Sequence, residues 1–427
     1  MFYTRKCGEI EESDFGSEQT LCGWLQDTRN LGGIAFLQLR DITGVIQLTL
    51  LKKKLDAENY KKWTNINRES IVLVRGIVKE NKEAPGGVEM LPDNIELLNE
   101  AETPLPLGVI DKIDSEIETR LNARYLDLRK SEIAANFQIR AAVSGAVHKH
   151  LRREKFLEVQ TPKIIASATE GGTSLFEMKY FDKTAYLAQS PQLYKQMLMG
   201  GGLERVYEIG PAFRAEEHNT PRHLNEFISI DIEMSFADDD VVMGVMERLV
   251  DSAARAVAKE TEALETLGIE PIELELPLPR ITYDEAVEMS NGKAEWGEDL
   301  SMEATREIAE QMNGFYFITK WPLSLKPFYI QPDDDPKYSR GFDFMYNEVE
   351  MTSGGQRVHD VNMLKERLKE QGLDPDGFNH YLDPFRYGMS PHAGWGLGLD
   401  RLSMIFAGAK NVRECVLFPR DRARMTP

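Results

Sequence analysis

The feature of the sequence that most constrains its fold is a predicted β-hairpin over residues 203–236. Polar and apolar residues alternate in segments 203–213 and 225–236, and this period of two is typical of β-strands. The loop between them is more charged than a turn requires, with Arg214 and Arg222 near its two ends. Two guanidinium groups suit a polyphosphate, because each offers a planar fork of donors that matches phosphate oxygens. A solvated hairpin with surface ion pairs is the alternative, and this segment alone leaves both open.

Composition narrows the class of protein. The chain has 427 residues, enough for two or three domains, and a formal net charge of −19, which argues against indiscriminate nucleic-acid binding. No apolar run approaches the length of a membrane span, and the N-terminal segment lacks the apolar core of a secretory signal. The three cysteines are too widely spaced for a zinc site. We therefore expect a cytoplasmic protein with no membrane partner.

Residues 1–102 are predicted to form a small β-rich domain. Five strand-like segments (19–27, 34–40, 45–50, 70–77 and 88–98) flank a helical segment, 54–66, that lies between the third and the fourth. This order is that of the OB-fold, a barrel whose open face binds single-stranded nucleic acid. Phe36 lies in the second of these segments, and taken alone it is expected to be a core residue, the commoner place for an aromatic side chain.

The remainder of the chain is predicted to form a hinge and a second domain. Pro104 and Pro106 mark a hinge over residues 103–125, and residues 126–427 follow as one domain. Apolar residues at helical spacing predict a long helix over 131–153, then a strand that ends at Pro162. Segment 237–330, with predicted helices over 238–261 and 301–312, is assigned a supporting role.

Three further segments carry candidate chemistry. In QSPQLYKQ (189–196), Gln192 and Lys195 are predicted to share a helix face. In EMTSGGQR (350–357), an acid and a hydroxyl beside two glycines predict either a Mg²⁺ site or a strand end with a glycine turn. Gly394, Gly396 and Gly398 alternate along a predicted strand, which would bare its backbone to a flat ligand, and Arg401 follows in the first turn of a helix.

Together these segments resemble the class II aminoacyl-tRNA synthetases. FRAEEHNTPRHLNEF resembles motif 2 of that class, which extends over 203–236, while residues 132–162 and 394–406 resemble motifs 1 and 3. The resemblance covers essentially the whole chain and is nearest to the compact archaeal type of the aspartyl enzymes, in subclass IIb. It implies an α+β protein with an N-terminal OB-fold barrel and an antiparallel catalytic sheet flanked by helices. It also implies a homodimer formed through motif 1.

The same resemblance implies which residues bind substrates. Arg214 and Arg401 are expected to be catalytic. The residues expected to contact ATP are Arg214, Glu216, Arg222, His223, Leu224, Phe227, Glu350, Gly398 and Arg401. Those expected around L-aspartate are Glu170, Gln192, Lys195, Asp231, Ser353 and Arg357. Mg²⁺ is the expected cofactor, with Asp343, Glu350 and Ser353 as its ligands. The residues expected to contact the tRNA anticodon are Gln26, Arg29, Phe36, Gln47 and Pro85.

Gln26 and Pro85 also bear on which tRNA is charged. Discriminating archaeal relatives tend to have Trp and Lys at these positions, so the sequence predicts a relaxed reading of the third anticodon base and the charging of tRNA(Asn) as well as tRNA(Asp). Two other identities remain open. One is an asparaginyl-tRNA synthetase or its asparagine-synthesising paralogue, and the other is a non-enzymatic RNA-binding protein that has kept the architecture.

Overall fold

The computed structural model describes residues 2–110, 115–166, 175–217 and 220–427. It divides into two compact units, Met1–Lys130 and Ser131–Pro427. The predicted hinge, residues 103–125, falls within the first unit. No helix among the described residues is both long and apolar enough to cross a bilayer.

The first unit is built on a closed five-stranded barrel with strand order β1-β2-β3-β5-β4. Its strands are β1 (Glu18–Asn30), β2 (Ile34–Arg40), β3 (Val45–Leu51), β4 (Ile71–Glu80) and β5 (Val88–Asn99). Its helices are α1 (Ala57–Thr64), α2 (Ile117–Asn122) and α3 (Arg124–Asp127). Because α1 lies between β3 and β4, the predicted OB-fold order is confirmed.

Alternation along β2 determines which residues fill the barrel. Ala35, Leu37 and Leu39 are fully buried in its core. Phe36 is half-buried and lies on the opposite face of the strand, because successive side chains of a strand point to opposite sides. Core packing therefore does not account for Phe36.

The second unit combines a large sheet with flanking helices. From Ser131 to Ser235 its elements are α4 (Ser131–Arg153), β6 (Leu157–Glu158), β7 (Ile164–Ile165), β8 (Glu177–Tyr180), β9 (Lys183–Leu187), α5 (Gln192–Gly200), β10 (Arg205–Phe213) and β11 (Glu226–Ser235). Beyond that they are α6 (Asp239–Val257), α7 (Thr261–Leu267), β12 (Arg280–Thr282), α8 (Tyr283–Met289), α9 (Met302–Met312), β13 (Phe315–Thr319), β14 (Gly341–Tyr346), β15 (Val349–Gln356), α10 (Val361–Glu370), α11 (Asn379–Arg386), β16 (His392–Gly398) and α12 (Leu399–Phe406).

The large sheet has eight strands in the order β12-β13-β14-β15-β16-β11-β10-β6. Neighbouring strands from β13 to β10 are antiparallel, as expected, whereas β12 pairs parallel to β13 and β6 pairs parallel to β10. The sheet is therefore mixed at its edges. Strands β7, β9 and β8 form a separate small sheet.

The two faces of the large sheet differ in chemistry. On β11, Ile228, Ile230 and Ile232 contact the hydrophobic core formed with α4, α6 and α12. Phe227, Ser229, Asp231 and Glu233 alternate with them and therefore point to the other face. That polar face carries the candidate site.

Segment 237–330 contributes more than the supporting role predicted for it. The helix expected over 238–261 ends at Val257, and α7 begins separately at Thr261. The segment also supplies β12 and β13 to the edge of the sheet, and several of its side chains line the cavity described below.

Candidate active site

A cavity of about 430 Å³ lies on the polar face of the sheet, bounded by the start of α5, the β10–β11 hairpin, β14, β15 and the β16–α12 junction. Thirteen of the predicted ATP, aspartate and metal residues line it. These are Gln192, Arg214, Glu216, Arg222, His223, Leu224, Phe227, Asp231, Asp343, Glu350, Ser353, Gly398 and Arg401. Glu170 lies outside the described residues.

Three guanidinium groups converge on the cavity. The Arg214 guanidinium lies over the Phe227 ring, 5.3 Å from its centroid. Arg222 pairs with Glu348 at 2.7 Å, and Arg401 Nη1 donates to the Glu350 carbonyl at 2.8 Å. Burial, with a contribution from nearby Arg214, lowers the pKa of Arg401. An anion bound among the three arginines would stabilise the charged form of Arg401.

A second charged cluster lies beneath the cavity floor. Lys195 is fully buried, and its Nζ donates to Asp231 Oδ1 at 2.8 Å and to the carbonyls of Ile232 and Trp395. Arg357 Nε donates to Glu233 Oε1 at 2.9 Å. Neither Lys195 nor Arg357 lines the cavity. Both cations predicted to bind aspartate thus lie behind the residues that line the cavity. Each of them is already paired with a carboxylate.

The carboxylate of Glu233 is ionised within this cluster. Burial by itself raises the pKa of Glu233, but Arg357 and Lys195 together lower it by more, so the net shift is downward. The neighbouring His392 is also buried, and burial lowers its pKa despite the proximity of Glu233.

Gln192 connects the buried cluster to the cavity. Its Oε1 accepts from Arg357 Nη2 at 3.2 Å, whereas its buried Nε2 has no hydrogen-bond partner among the described residues. A buried donor without an acceptor costs about 1–3 kcal/mol. A ligand carbonyl or carboxylate oxygen in the cavity would satisfy it.

The glycines of β16 have a different explanation from the predicted one. A Cβ at Gly396 would lie 2.9 Å from Asp231 Oδ1, and a Cβ at Gly394 would lie 2.2 Å from the Ile232 carbonyl oxygen and 2.3 Å from Glu233 Oε2. These two glycines therefore make room for the carboxylates of the adjacent strand. Of these three glycines only Gly398 has space for a side chain, since a Cβ there would lie 3.7 Å from the nearest atom.

The three predicted metal ligands all carry oxygen atoms, but they are not equally free to bind a metal ion. Ser353 Oγ donates to Glu350 Oε1 at 3.0 Å, and both groups are exposed to the cavity. Both carboxylate oxygens of Asp343 instead accept from Lys326 Nζ, each at 2.8 Å. Burial raises the pKa of Asp343 to about 6. Among the described residues no group of three acidic, histidine or cysteine side chains could hold a metal by itself. Glu350 and Ser353 suit Mg²⁺, which takes few protein ligands when phosphates supply the others.

Sequence reasoning missed several residues of the cavity wall, among them Trp321, Lys326 and Tyr329. They lie between β13 and β14, in a region without helical or strand periodicity. The only sequence signal was the apolar and aromatic composition of KWPLSLKPFYI (320–330).

In the first unit, the strand register brings together most of the predicted anticodon residues. Arg29 pairs with Phe36 across β1 and β2, and Gln38 pairs with Gln47 across β2 and β3. Gln26 Nε2 donates to Gln38 Oε1 at 3.3 Å, and Gln47 Nε2 donates to Glu89 at 3.2 Å. Pro85 begins the 3₁₀ turn Pro85–Gly87, which contacts β3.

The fold and the cavity are those of a class II tRNA synthetase, and the chain belongs to that family, since the family model described as tRNA synthetases class II (D, K and N) matches residues 116–422. A second model, an OB-fold nucleic acid binding domain, matches residues 19–98. Members of the class II family use ATP as a substrate.

Individual relatives narrow the resemblance. The chain is 53% identical over 419 residues to an aspartate–tRNA(Asp/Asn) ligase of Archaeoglobus fulgidus, covering 96% of this chain and 97% of that protein. It is 48% identical over 423 residues to an aspartate–tRNA(Asp) ligase of Thermoplasma acidophilum, covering 98% of each. Among solved structures, asparaginyl-tRNA synthetase from Pyrococcus horikoshii, complexed with asparaginyl-adenylate, matches with a TM-score of 0.94, 33% identity and full coverage of both chains.

Proposed function

We propose that this chain is an aspartate–tRNA ligase, which activates L-aspartate with ATP and transfers the aspartyl group to the 3′ end of tRNA. The observation that carries the proposal is the convergence of Arg214, Arg222 and Arg401 on one cavity, directly above the buried cations Lys195 and Arg357. The names of relatives at 48–53% identity support the choice of aspartate. The proposed substrates imply a cytoplasmic enzyme.

In this proposal ATP occupies the open side of the cavity. Its phosphates contact the three arginines, and its adenine stacks on Phe227, beside Glu216, His223, Leu224 and Gly398. Glu350 and Ser353 would hold Mg²⁺, which when bound supplies additional positive charge to the phosphates. The burial that lowers the pKa of Arg401 supports an anionic ligand at this position, because a bound anion would offset the cost of the buried charge.

The amino acid occupies the floor. Gln192 and Asp231, with Glu170 outside the described residues, surround the amino group, and Ser353 lies nearby. Lys195 and Arg357 bind the side-chain carboxylate of the aspartate substrate when it inserts below the cavity floor, past Asp231. Asp231 and Glu233 already pair with these buried cations, so a substrate carboxylate adds a favourable charge interaction that a neutral amide does not supply.

The activation step then needs no covalent nucleophile or general base. The α-carboxylate of aspartate is already ionised and attacks the α-phosphorus in line, so that an O–P bond forms and the bond to pyrophosphate breaks. Arg214 and Arg401 position the phosphates and offset the charge that develops on them. A hydroxyl of the terminal ribose of tRNA then attacks the activated carbonyl, the bond to AMP breaks, and the hydroxyl proton passes to the departing phosphate or to solvent.

The barrel is the proposed anticodon-binding domain. Phe36 stacks on one base, Gln47 reads a base edge and Arg29 contacts the same loop. We further propose a homodimer formed through α4 and the strand after it, with tRNA(Asp) and tRNA(Asn) both charged.

Aspartate-dependent ATP–pyrophosphate exchange tests the activation step. Exchange driven by aspartate and not by asparagine is the expected result. The structural likeness to an asparaginyl-tRNA synthetase makes asparagine the second candidate, and exchange driven by asparagine alone would replace our assignment. If neither amino acid supports exchange, the result would favour a non-enzymatic RNA-binding protein.

Aminoacylation of purified tRNA(Asp) and tRNA(Asn) tests the choice of tRNA. We expect both to be charged, and the double variant Gln26→Trp/Pro85→Lys to shift charging toward tRNA(Asp). A wild-type protein that charges only tRNA(Asp) would contradict the relaxed reading without affecting the proposed activation of aspartate.

A further inference from the structure

Lys326 and Asp343 form a buried ion pair in the wall of the cavity. Asp343, on β14, is 4% exposed, and both of its carboxylate oxygens accept from Lys326 Nζ at 2.8 Å. The same Nζ lies 4.1 Å from the centroid of the Trp321 ring, a cation–π contact. The ammonium group is therefore held between a carboxylate and an aromatic face.

The position of Lys326 is fixed independently of Asp343. Lys326 follows the 3₁₀ turn Leu323–Leu325, and its carbonyl accepts from Gln371 Nε2 at 2.9 Å. The residue is only 9% exposed, and lysine is rarely buried to this extent unless it is paired. The segment that follows the 3₁₀ turn therefore holds the Lys326 ammonium group beside Asp343.

Asp343 would otherwise complete a set of metal ligands. It pairs in register with Ser353 on β15, and Ser353 Oγ donates to Glu350. Two carboxylates and a hydroxyl are the hard oxygen ligands that Mg²⁺ takes, at about 2.0–2.1 Å. The ammonium of Lys326 occupies the oxygens of Asp343 to which such an ion would bind, and two cations on one carboxylate repel each other.

The ammonium of Lys326 thus compensates the carboxylate of Asp343, whereas the carboxylate of Glu350 faces the cavity.

We propose that Lys326 is an internal counter-ion that keeps divalent cations off Asp343, so that Mg²⁺ enters this site only with the nucleotide and binds through Glu350 and Ser353. This role of Lys326 is a positioning and selectivity role, exercised through Asp343. It rests on the proposed function only in taking the nucleotide to be ATP.

Mn²⁺ binding to the nucleotide-free protein, measured by electron paramagnetic resonance of the free ion, tests the proposal. The variants are Lys326→Met, Lys326→Arg, which keeps the charge, and the double variant Lys326→Met/Asp343→Asn. We expect Lys326→Met to bind Mn²⁺ at least about 10-fold more tightly than the wild type, because it exposes a second carboxylate to the ion. The other two should bind it as weakly as the wild type, and Mn²⁺ should raise the melting temperature of Lys326→Met alone.

A folded Lys326→Met protein that binds Mn²⁺ no more tightly than the wild type would overturn the proposal. If that variant does not fold, Asp343→Asn in the wild-type background decides. An unchanged Mn²⁺ affinity supports exclusion of the metal from Asp343, and a weakened affinity refutes it. No amino acid or tRNA enters these measurements, so their failure is distinguishable from failure of aspartate-dependent exchange.

Discussion

Arg140 and Asp400 form an ion pair at 2.5 Å between α4 and the first turn of α12. Asp400 Oδ2 also accepts from the backbone amide of Ile228, on β11, at 2.9 Å. One buried carboxylate thus joins the segments that resemble motifs 1, 2 and 3. The long helix, the hairpin and the arginine-bearing helix are connected through this one residue, which also lines the cavity.

Asp400→Asn should lower the free energy of unfolding by about 2–4 kcal/mol, because the amide still accepts from Ile228 but leaves Arg140 without its counter-charge. Urea denaturation at pH 7 measures the loss. The double variant Arg140→Met/Asp400→Asn removes both charges and should recover most of it. Unchanged stability in the single variant would show that the ion pair is not a structural tie.

Arg401→Ala should slow aspartate-dependent ATP–pyrophosphate exchange by about 100- to 1,000-fold, the usual effect of removing one group that stabilises developing charge. Steady-state exchange kinetics measure the change. Arg248→Ala is the matched control, because Arg248 pairs with Glu154 on the surface and does not line the cavity. Equal losses in the two variants would argue against a role for Arg401 at the phosphates.

Lys195→Met should destabilise the protein by about 3–5 kcal/mol, because it leaves Asp231 buried without its cation. It should also weaken aspartate binding, measured by calorimetry on the folded variant, by at least about 100-fold. The exposed Lys183, changed to Met, should alter neither quantity. Normal aspartate affinity in Lys195→Met would refute the proposed contact with the substrate carboxylate.

His392 should lower stability as the pH drops below about 6.5, whereas Asp343, whose pKa burial raises to about 6, acts in the opposite direction over the same range. Burial lowers the pKa of His392 in the folded state, so the unfolded chain binds the proton first and is favoured by acid. Each group of this kind contributes at most about 1.4 kcal/mol per pH unit. His392→Gln should flatten the dependence between pH 6.5 and 5.5, as measured by urea unfolding.

The slope should not disappear in that variant, because burial also lowers the pKa of His150. The exposed His380, changed to Gln, is the control and should leave the wild-type slope in place. Identical slopes for the wild type and His392→Gln would contradict the assignment.

Phe36→Ala should raise the KM for tRNA by about 5- to 100-fold, since stacking on one base is worth about 1–3 kcal/mol. Aminoacylation kinetics measure this change, while ATP–pyrophosphate exchange should be unaffected. Ile42→Ala, at an exposed position in the turn between β2 and β3, should behave as the wild type. A raised KM for ATP in Phe36→Ala would point to a folding defect instead.

The sequence could predict what short-range pattern encodes. The hairpin, the barrel order and the limits of α4 follow from periods of two and 3.6 and from turn residues, and the structure has α4 over Ser131–Arg153 as expected. Most of the predicted cavity residues lie in segments that resemble the three motifs.

The other features of the site depend on contacts between residues that are far apart in the sequence. Gly394 and Gly396 are required by carboxylates on β11, and no local pattern reveals that relationship. The pairing of Lys326 with Asp343 joins an irregular segment to a strand. The three-residue strand β12 is likewise too short to show a period, and Lys195 could be placed on its helix but not at its depth beneath Asp231.

Strand β16 lies between β11 and β15, although it is the last strand of the sheet to be synthesised. While the ribosome is still making the chain, β11 and β15 each keep one row of backbone donors and acceptors without a neighbour, and such rows invite pairing with other chains. Nascent or truncated forms that end before residue 392 should therefore be inactive and prone to aggregate. Adding the seven residues of β16 pairs both exposed rows, and α12 with Arg401 follows directly.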